Sequence, residues 1–136
     1  MIVLDASVVV ELLTNGPMAE RLRHKLHARN ETFAVPHLLD IEVVSALRGL
    51  AAGRHIDSHR IARALEGLAL LPAERYPHLP LLGRIWELRH NFTAYDASYI
   101  ALAEATASEL YTCDVKLAAG HRARVVLFTP DAELDA

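Results

Sequence analysis

The sequence predicts an α/β fold in which a parallel sheet is covered by helices on both faces. Two features lead there. Short apolar runs of strand length alternate along the chain with longer segments of helical periodicity, the pattern of successive β-α-β units. Acidic residues stand where four of these apolar elements begin or end, at Asp5, Glu42, Asp96 and Asp114, and open α/β sheets bind ligands at the carboxyl ends of their strands. At 136 residues the chain matches one ordinary domain, large enough to bury roughly two-thirds of its unfolded surface. No repeat, low-complexity tract or linker divides it, so one domain over residues 1–136 is expected.

Taken in order, Ile2-Val3-Leu4 reads as a buried strand closed by Asp5. Ser7 to Leu13 follows as a short helix, stopped by the turn signal Asn15-Gly16-Pro17. Met18 to Ala28 is amphipathic, with Leu22 and Leu26 at helical spacing and bases opposite. Phe33-Ala34-Val35 is a second strand, ended by Pro36. From Leu38 a helix runs through Ile41, Val44, Ala46 and Leu47 to about Ala51, with Gly53 as its stop. Asp57 or Ser58 caps the next helix, through Ile61, Leu65 and Leu68, and Leu70-Leu71-Pro72 marks its exit. Ala73 to Tyr76 fits a short edge strand before a helix from about Pro80 to Arg89. Thr93 caps a helix from Tyr95 to Ala107, and Leu110 to Cys113 is a strand closed by Asp114. Val115 to Ala119 is a short helix and Val125 to Phe128 the last strand, leaving a polar tail from Pro130.

Composition excludes several classes. The apolar fraction is 52%, yet no segment approaches the ~18 uninterrupted apolar residues that span a bilayer. The start Met1-Ile2-Val3-Leu4-Asp5 has no basic leader and carries an acid where a signal peptide would be apolar, so a cytoplasmic protein is expected. Seventeen acids against fourteen bases give a net charge of -3, which argues against a protein that coats nucleic acid. A nuclease remains compatible, because a metal ion can invert a locally negative site. The single cysteine, Cys113, permits no internal disulfide and reads as a small buried hydrophobe at a strand end.

Taken singly, Asp5 and Asp114 read as helix N-caps after strands. Glu42 and Asp96, in the first turns of their helices, read as complements to a helix dipole. Converging on one edge, the four would repel one another unless a cation or shared protons neutralised them. Four oxygen ligands point to a hard divalent cation. Each strand-end acid has a hydroxyl companion, Ser7 two residues after Asp5 and Thr112 two before Asp114. Thr112 and Asp114 share a strand face, where a hydroxyl orients a carboxylate or a metal-bound water; Ser7 serves either there or as a local cap. The eight histidines are scattered, with no His-Glu-x-x-His pattern for zinc. No Gly-rich phosphate loop or local Ser/His/Asp signature occurs.

Four segments carry a family resemblance: Ile2 to Ser7, Glu42 to Leu47, Thr93 to Ala103 and Thr112 to Leu117. Together they closely resemble the PIN-domain ribonucleases, and in particular the VapC toxins of bacterial toxin–antitoxin pairs, over nearly the whole chain and in the family's order. The third and fourth segments are the specific ones. The resemblance implies a three-layer α/β/α PIN fold with a central, mostly parallel sheet. It also implies a Mg²⁺- or Mn²⁺-dependent endoribonuclease acting on RNA, a homodimer, and neutralisation by a cognate antitoxin. Carried over position by position, it makes Asp5, Glu42, Asp96 and Asp114 the catalytic, metal-holding acids, with Ser7 and Thr112 as supporting hydroxyls. Asp40 does not match the motif. Some relatives carry a further acid just after the last motif aspartate, where this chain has Val115 and Lys116.

Phosphodiester cleavage needs an activated water, an in-line approach and relief of charge on the phosphorane-like oxygens and the leaving group, all of which divalent metals supply. Arg48, Arg54, Arg89, Lys116 and Arg122 are candidate phosphate contacts, each also readable as a solvated surface charge. Two other readings stay open. A haloacid-dehalogenase-like phosphotransferase also uses an aspartate after its first strand as nucleophile, although its usual second acid is Ser7 here. A non-catalytic PIN-like module would bind RNA or protein without cutting.

Overall fold

Burial on both faces explains why the central strands read as unbroken apolar runs. The computed structural model describes residues 1–130. Ile2, Val3 and Leu4 of β1 (Ile2–Leu4) are fully buried, as are Ala34 and Val35 of β2 (Phe33–Pro36) and Leu110, Tyr111 and Thr112 of β4 (Glu109–Thr112). The edges are β3 (Ala73–Tyr76) and β5 (Arg124–Leu127), short, half-exposed and charged at Glu74, Arg75 and Arg124, which discourages pairing with a stray strand. The order is β3-β2-β1-β4-β5 and every pairing is parallel, so the sheet expected to be mostly parallel is wholly so among the described residues.

Connectivity then places the helices. The chain steps outward from β1 to β3, crosses back, and steps outward again through β4 to β5. Crossovers are right-handed, so reversing direction moves the connecting helices to the other face. α1 (Ala6–Leu13), α2 (Ala19–Arg29), α3 (Leu38–Ala52) and α4 (Ser58–Ala69) pack together in one layer. α5 (Leu82–Glu87) and α6 (Ala94–Ala105) pair with each other, and α6 lies against β1, β2 and β4. Residues Ala97 to Ala103 of α6 are all buried, so this helix is apolar on every side. The strand order reverses between β1 and β4, which opens a crevice at their carboxyl ends.

Most boundaries fall within a residue or two of expectation. Asp57 and Thr93 cap α4 and α6 by accepting from the Arg60 and Asp96 amides at 2.9 and 3.1 Å. Several expectations need correction. The segment Pro80 to Arg89 is not one helix but a 3₁₀ turn, Leu79–Leu81, followed by α5, with the chain beyond Glu87 held to Phe92 by turn hydrogen bonds. The helix expected at Val115 to Ala119 is a 3₁₀ turn, Val115–Leu117, and the last two strands begin one residue earlier than expected. Gly53 ends α3 at φ -78; the left-handed residue is Arg54, at φ 57, because His55 N–H reaches back to the Leu50 carbonyl at 3.0 Å. The tail from Pro130 lies, past that residue, outside the described residues.

The core sets a stability expectation. Leu110 is fully buried in a central strand and Leu70 is 81% exposed. Leu110→Ala should cost about 2–5 kcal/mol through lost transfer energy and a residual cavity, and Leu70→Ala no more than about 0.5 kcal/mol. Urea unfolding of both variants checks this, and equal losses would mean that the burial pattern misplaces the core.

Candidate functional site

Asp5 is the deepest of the four acids, 4% exposed at the end of β1. Its backbone N–H still continues the sheet to the Tyr111 carbonyl at 3.2 Å, and its side chain caps α1. Oδ1 accepts from the Val8 amide at 3.1 Å and from Ser7 Oγ at 2.6 Å. Oδ2 accepts from the Thr112 hydroxyl. Each hydroxyl has one proton to donate and lone pairs to accept with, and each here both donates and accepts. Ser7 Oγ accepts from the Cys113 amide and Thr112 Oγ1 from the Asp114 amide, each at 2.9 Å. The loop after β4 is thereby tied through two hydroxyls to one carboxylate after β1. For Ser7, the cap and the supporting role turn out to be the same contact.

Burial pushes the Asp5 carboxyl up to about 6 despite these three donors, and the charge of Asp114 adds to the rise. Asp96, on the third residue of α6, is raised by burial and by Asp114, with Lys116 and Thr93 opposing. Glu42 is raised by burial and by Asp96, while the Tyr99 hydroxyl, donating at 2.6 Å, pulls the other way. Asp114 caps the 3₁₀ turn after β4 by accepting from the Lys116 amide at 2.9 Å. A chain of mutual repulsion therefore runs Asp5, Asp114, Asp96, Glu42. One placement differs from expectation: Glu42 is the fifth residue of α3, in its second turn. The first-turn acid is Asp40, held by Arg75 at 2.8 and 3.2 Å.

The residues fit a hard divalent cation by their chemistry. All are oxygen donors, and Asp5, Asp96 and Glu42 are each raised in part by a neighbouring carboxylate. Among the described residues no three His, Cys, Asp or Glu side chains are gathered closely enough to form a cage by themselves. Asp5, Glu42 and Asp114 each accept from a protein donor, Ser7 Oγ at 2.6 Å, Tyr99 Oη at 2.6 Å and the Lys116 amide at 2.9 Å.

A groove of about 710 Å³ leads away from Ser7 and Glu42 between α1 and α3, with Val10, Leu38, Ile41 and Tyr95 among its walls. Ile41 is 70% and Tyr95 58% exposed there. A second cavity, about 770 Å³, is lined by Arg84 and Glu104; Glu104 lies eight residues after Asp96 on α6, roughly 12 Å along the helix. Arg122 belongs to that far end, its amide and guanidinium on Glu104 at 2.8 and 3.6 Å. Arg89 is stacked 4.3 Å over Trp86, and Arg48 and Arg54 are exposed toward the distal end of α3. Of the five candidate phosphate contacts, Lys116 is the one whose charge is felt at an acid of the set.

Cys113 is half-buried rather than buried, one residue beyond its strand, and packs against the core. Burial, with Asp5 and Glu11 adding, pushes its thiol up to about 11, which suits an inert side chain. Sequence reasoning gave Tyr99 no role, although it stands three residues after Asp96 and hence on the same face of α6.

The PIN domain family model matches residues 2–121. The VapC ribonuclease Mb0985 of Mycobacterium bovis is 44% identical over 119 residues, 86% of this chain and 88% of that protein. Ribonuclease VapC12 of Mycobacterium tuberculosis is 37% identical over 129 residues, 93% of this chain and 98% of that one. A chain of a toxin–antitoxin complex from Klebsiella pneumoniae shares the fold with a TM-score of 0.67 at 21% identity, covering 93% of this chain and 96% of its own.

The electrostatics yield a pH dependence. The folded-state value of Asp5, about 6, lies above its ordinary 3.8, so the folded protein binds the extra proton between them. Stability therefore falls as pH rises through this window, with the full penalty, about 3 kcal/mol, present above it. Asp5→Asn, which keeps the side-chain shape and removes the buried charge while turning one acceptor oxygen into a donor, should melt above the parent at pH 7 in EDTA and lose that advantage near pH 4. Thermal melts at both pH values decide the point; a variant that melts lower at pH 7 would show that the caps outweigh the buried charge.

Proposed function

The chain belongs to the PIN-domain family, among the VapC ribonucleases, and from that premise we propose that it is an endoribonuclease toxin held silent by a cognate antitoxin. The observation that carries this is the run of mutually repelling carboxylates at the strand-order reversal of a parallel sheet, a site that gains most from a divalent cation and its polyanionic substrate. Asp5, Glu42, Asp96 and Asp114 hold Mg²⁺ or Mn²⁺, with Ser7 and Thr112 as their supports. When bound, the ion supplies an activated water and neutralises charge on the scissile phosphate and the leaving oxygen.

The protein's own part is positional. Ser7 and Thr112 lock both Asp5 oxygens in direction, so the deepest ligand loses little freedom on binding. Thr93 fixes the start of α6 and with it Asp96. Lys116, beside Asp96, offers a cation to the phosphate of the incoming strand. The phosphotransferase alternative lacks its second acid, since Ser7 stands there and spends its proton on Asp5. All four acids of the set lie in one electrostatic neighbourhood, which gives a non-catalytic module no advantage.

We place the whole chain, residues 1–136, in one PIN domain that acts as a homodimer in the cytoplasm, where RNA is at hand. Among the described residues no helix is long and apolar enough to cross a membrane. The groove between α1 and α3 suits the antitoxin, because its apolar walls take a helix or extended segment while Glu42 at its end attracts a basic side chain.

RNA cleavage should require Mg²⁺ or Mn²⁺ and stop in EDTA. Asp5→Asn, Glu42→Gln, Asp96→Asn and Asp114→Asn should each lower turnover sharply with the fold retained, and Ser7→Ala by roughly 10–100-fold. Gel assays on RNA with circular dichroism as the folding control test this, and wild-type rates in any two of the acid variants would sink the site assignment. For the partner, Ile41→Asp should weaken antitoxin binding by placing a charge in the apolar groove. Unchanged affinity in a pull-down titration would move the docking surface elsewhere.

A further inference from the structure

We propose that Tyr99 is a positioning residue of the metal site, its hydroxyl holding the Glu42 carboxylate in place beside Asp96. The inference rests on the reading of Glu42 as a metal ligand and goes beyond it, to how that ligand is kept usable. Glu42 is less firmly founded than Asp5 and Asp114. Asp5 is gripped by three donors and caps α1, and Asp114 caps the turn after β4. Glu42 sits in the second turn of α3, where the backbone amides are already engaged, on the set's longest side chain and therefore with the most rotamer freedom to lose. Among the described residues its one side-chain hydrogen bond comes from Tyr99 Oη, at 2.6 Å.

Tyr99 is built for that task. It is buried to within 1% in the core, so a rigid ring with two torsions is fixed by packing before any ligand arrives. It stands one turn after Asp96 on α6, and its phenol lies within electrostatic reach of Asp5, Asp96 and Glu42. The same helical turn thus presents a ligand and the hydroxyl that orients a second ligand carried by another helix. The chemistry of the donor matters as well. A neutral O–H orients a carboxylate without placing positive charge where a cation must bind; lysine or arginine in its place would fill the site with its own charge. The simpler account, that a buried phenol merely needs an acceptor, makes a different forecast, because it ties Tyr99 to stability and leaves metal affinity alone.

The test is a double-mutant cycle read by Mn²⁺ calorimetry on wild type, Tyr99→Phe, Glu42→Gln and the pair, with melting temperatures in EDTA and kcat and KM for RNA measured alongside. Tyr99→Phe should weaken Mn²⁺ binding roughly tenfold and lower kcat, and should cause no further loss in the Glu42→Gln background. A shifted melting temperature with unchanged Mn²⁺ affinity would make Tyr99 structural and overturn the proposal. If Glu42→Gln binds Mn²⁺ as wild type while Asp96→Asn does not, Glu42 is no ligand and the proposal falls with the nuclease reading intact. Indifference of all four acid variants to Mn²⁺ would instead bring down the metal site itself. Should Tyr99→Phe fail to fold, Glu42→Asp asks the same question, since the shorter side chain withdraws the carboxylate from the hydroxyl. Full Mn²⁺ affinity in that variant would equally overturn the proposal.

Discussion

Everything in the site depends on how a single buried carboxylate joins two strands at the point where their chains diverge. The ladder between β1 and β4 ends with Leu4 opposite Tyr111; beyond it one chain turns into α1 and the other into the Val115–Leu117 turn. Backbone amides at such a divergence would lose their partners, and a buried amide without a partner is costly. Ser7 and Thr112 accept from the Cys113 and Asp114 amides and donate hydrogen bonds to the two oxygens of Asp5. An apolar residue at position 5 would leave both hydroxyls without acceptors and the crevice without its hinge point.

The same arrangement shows how one helix presents two acids with opposite electrostatic fates. Asp96 and Glu104 both lie on α6, and desolvation acts against the charged form of each. At Glu104, 9% exposed, Arg84 answers that cost with two bonds at 2.7 and 3.1 Å, and the carboxyl ends below its usual range. At Asp96 the repulsion of another carboxylate, Asp114, outweighs the attraction of Lys116, and the carboxyl ends above it. The far end of α6 is thus a neutralised structural clasp that fastens α5, while the near end keeps negative charge that Lys116 only partly offsets. Functional sites commonly keep such unfavourable charge because activity needs it, at the expense of stability.

Rigidity is placed accordingly. Phe92 is held by its contact with the His121 ring, 5.7 Å between centroids, and by Gly120, where a side chain would meet the Phe92 ring at 3.3 Å. The residue after Phe92 is the cap of α6, so this loop fixes where Asp96 emerges. Glu42 comes from a helix in the opposite layer, and the Tyr99 hydroxyl is the bond that reaches across to it.

Several features were legible in the order of residues alone. A parallel sheet followed from strand-length apolar runs separated by helical ones, since only burial on both faces calls for such uniform runs as Ile2-Val3-Leu4. That Asp5, Glu42, Asp96 and Asp114 lie near one another, with Ser7 and Thr112 on Asp5, was legible because strand ends, helix starts and motif spacing are local properties. What sequence could not supply were relations between distant segments. It gave Glu42 a first-turn place that belongs to Asp40, left Arg122 a candidate phosphate contact when Glu104 claims it, and passed over Tyr99 within the Thr93 to Ala103 segment. The identities of the charged groups were set by sequence. Which carboxylate meets a guanidinium, which meets another carboxylate and which meets a phenol was decided only when the strand order reversed between β1 and β4, because electrostatic and hydrogen-bond energies depend on through-space distance and burial, which position along the chain does not encode.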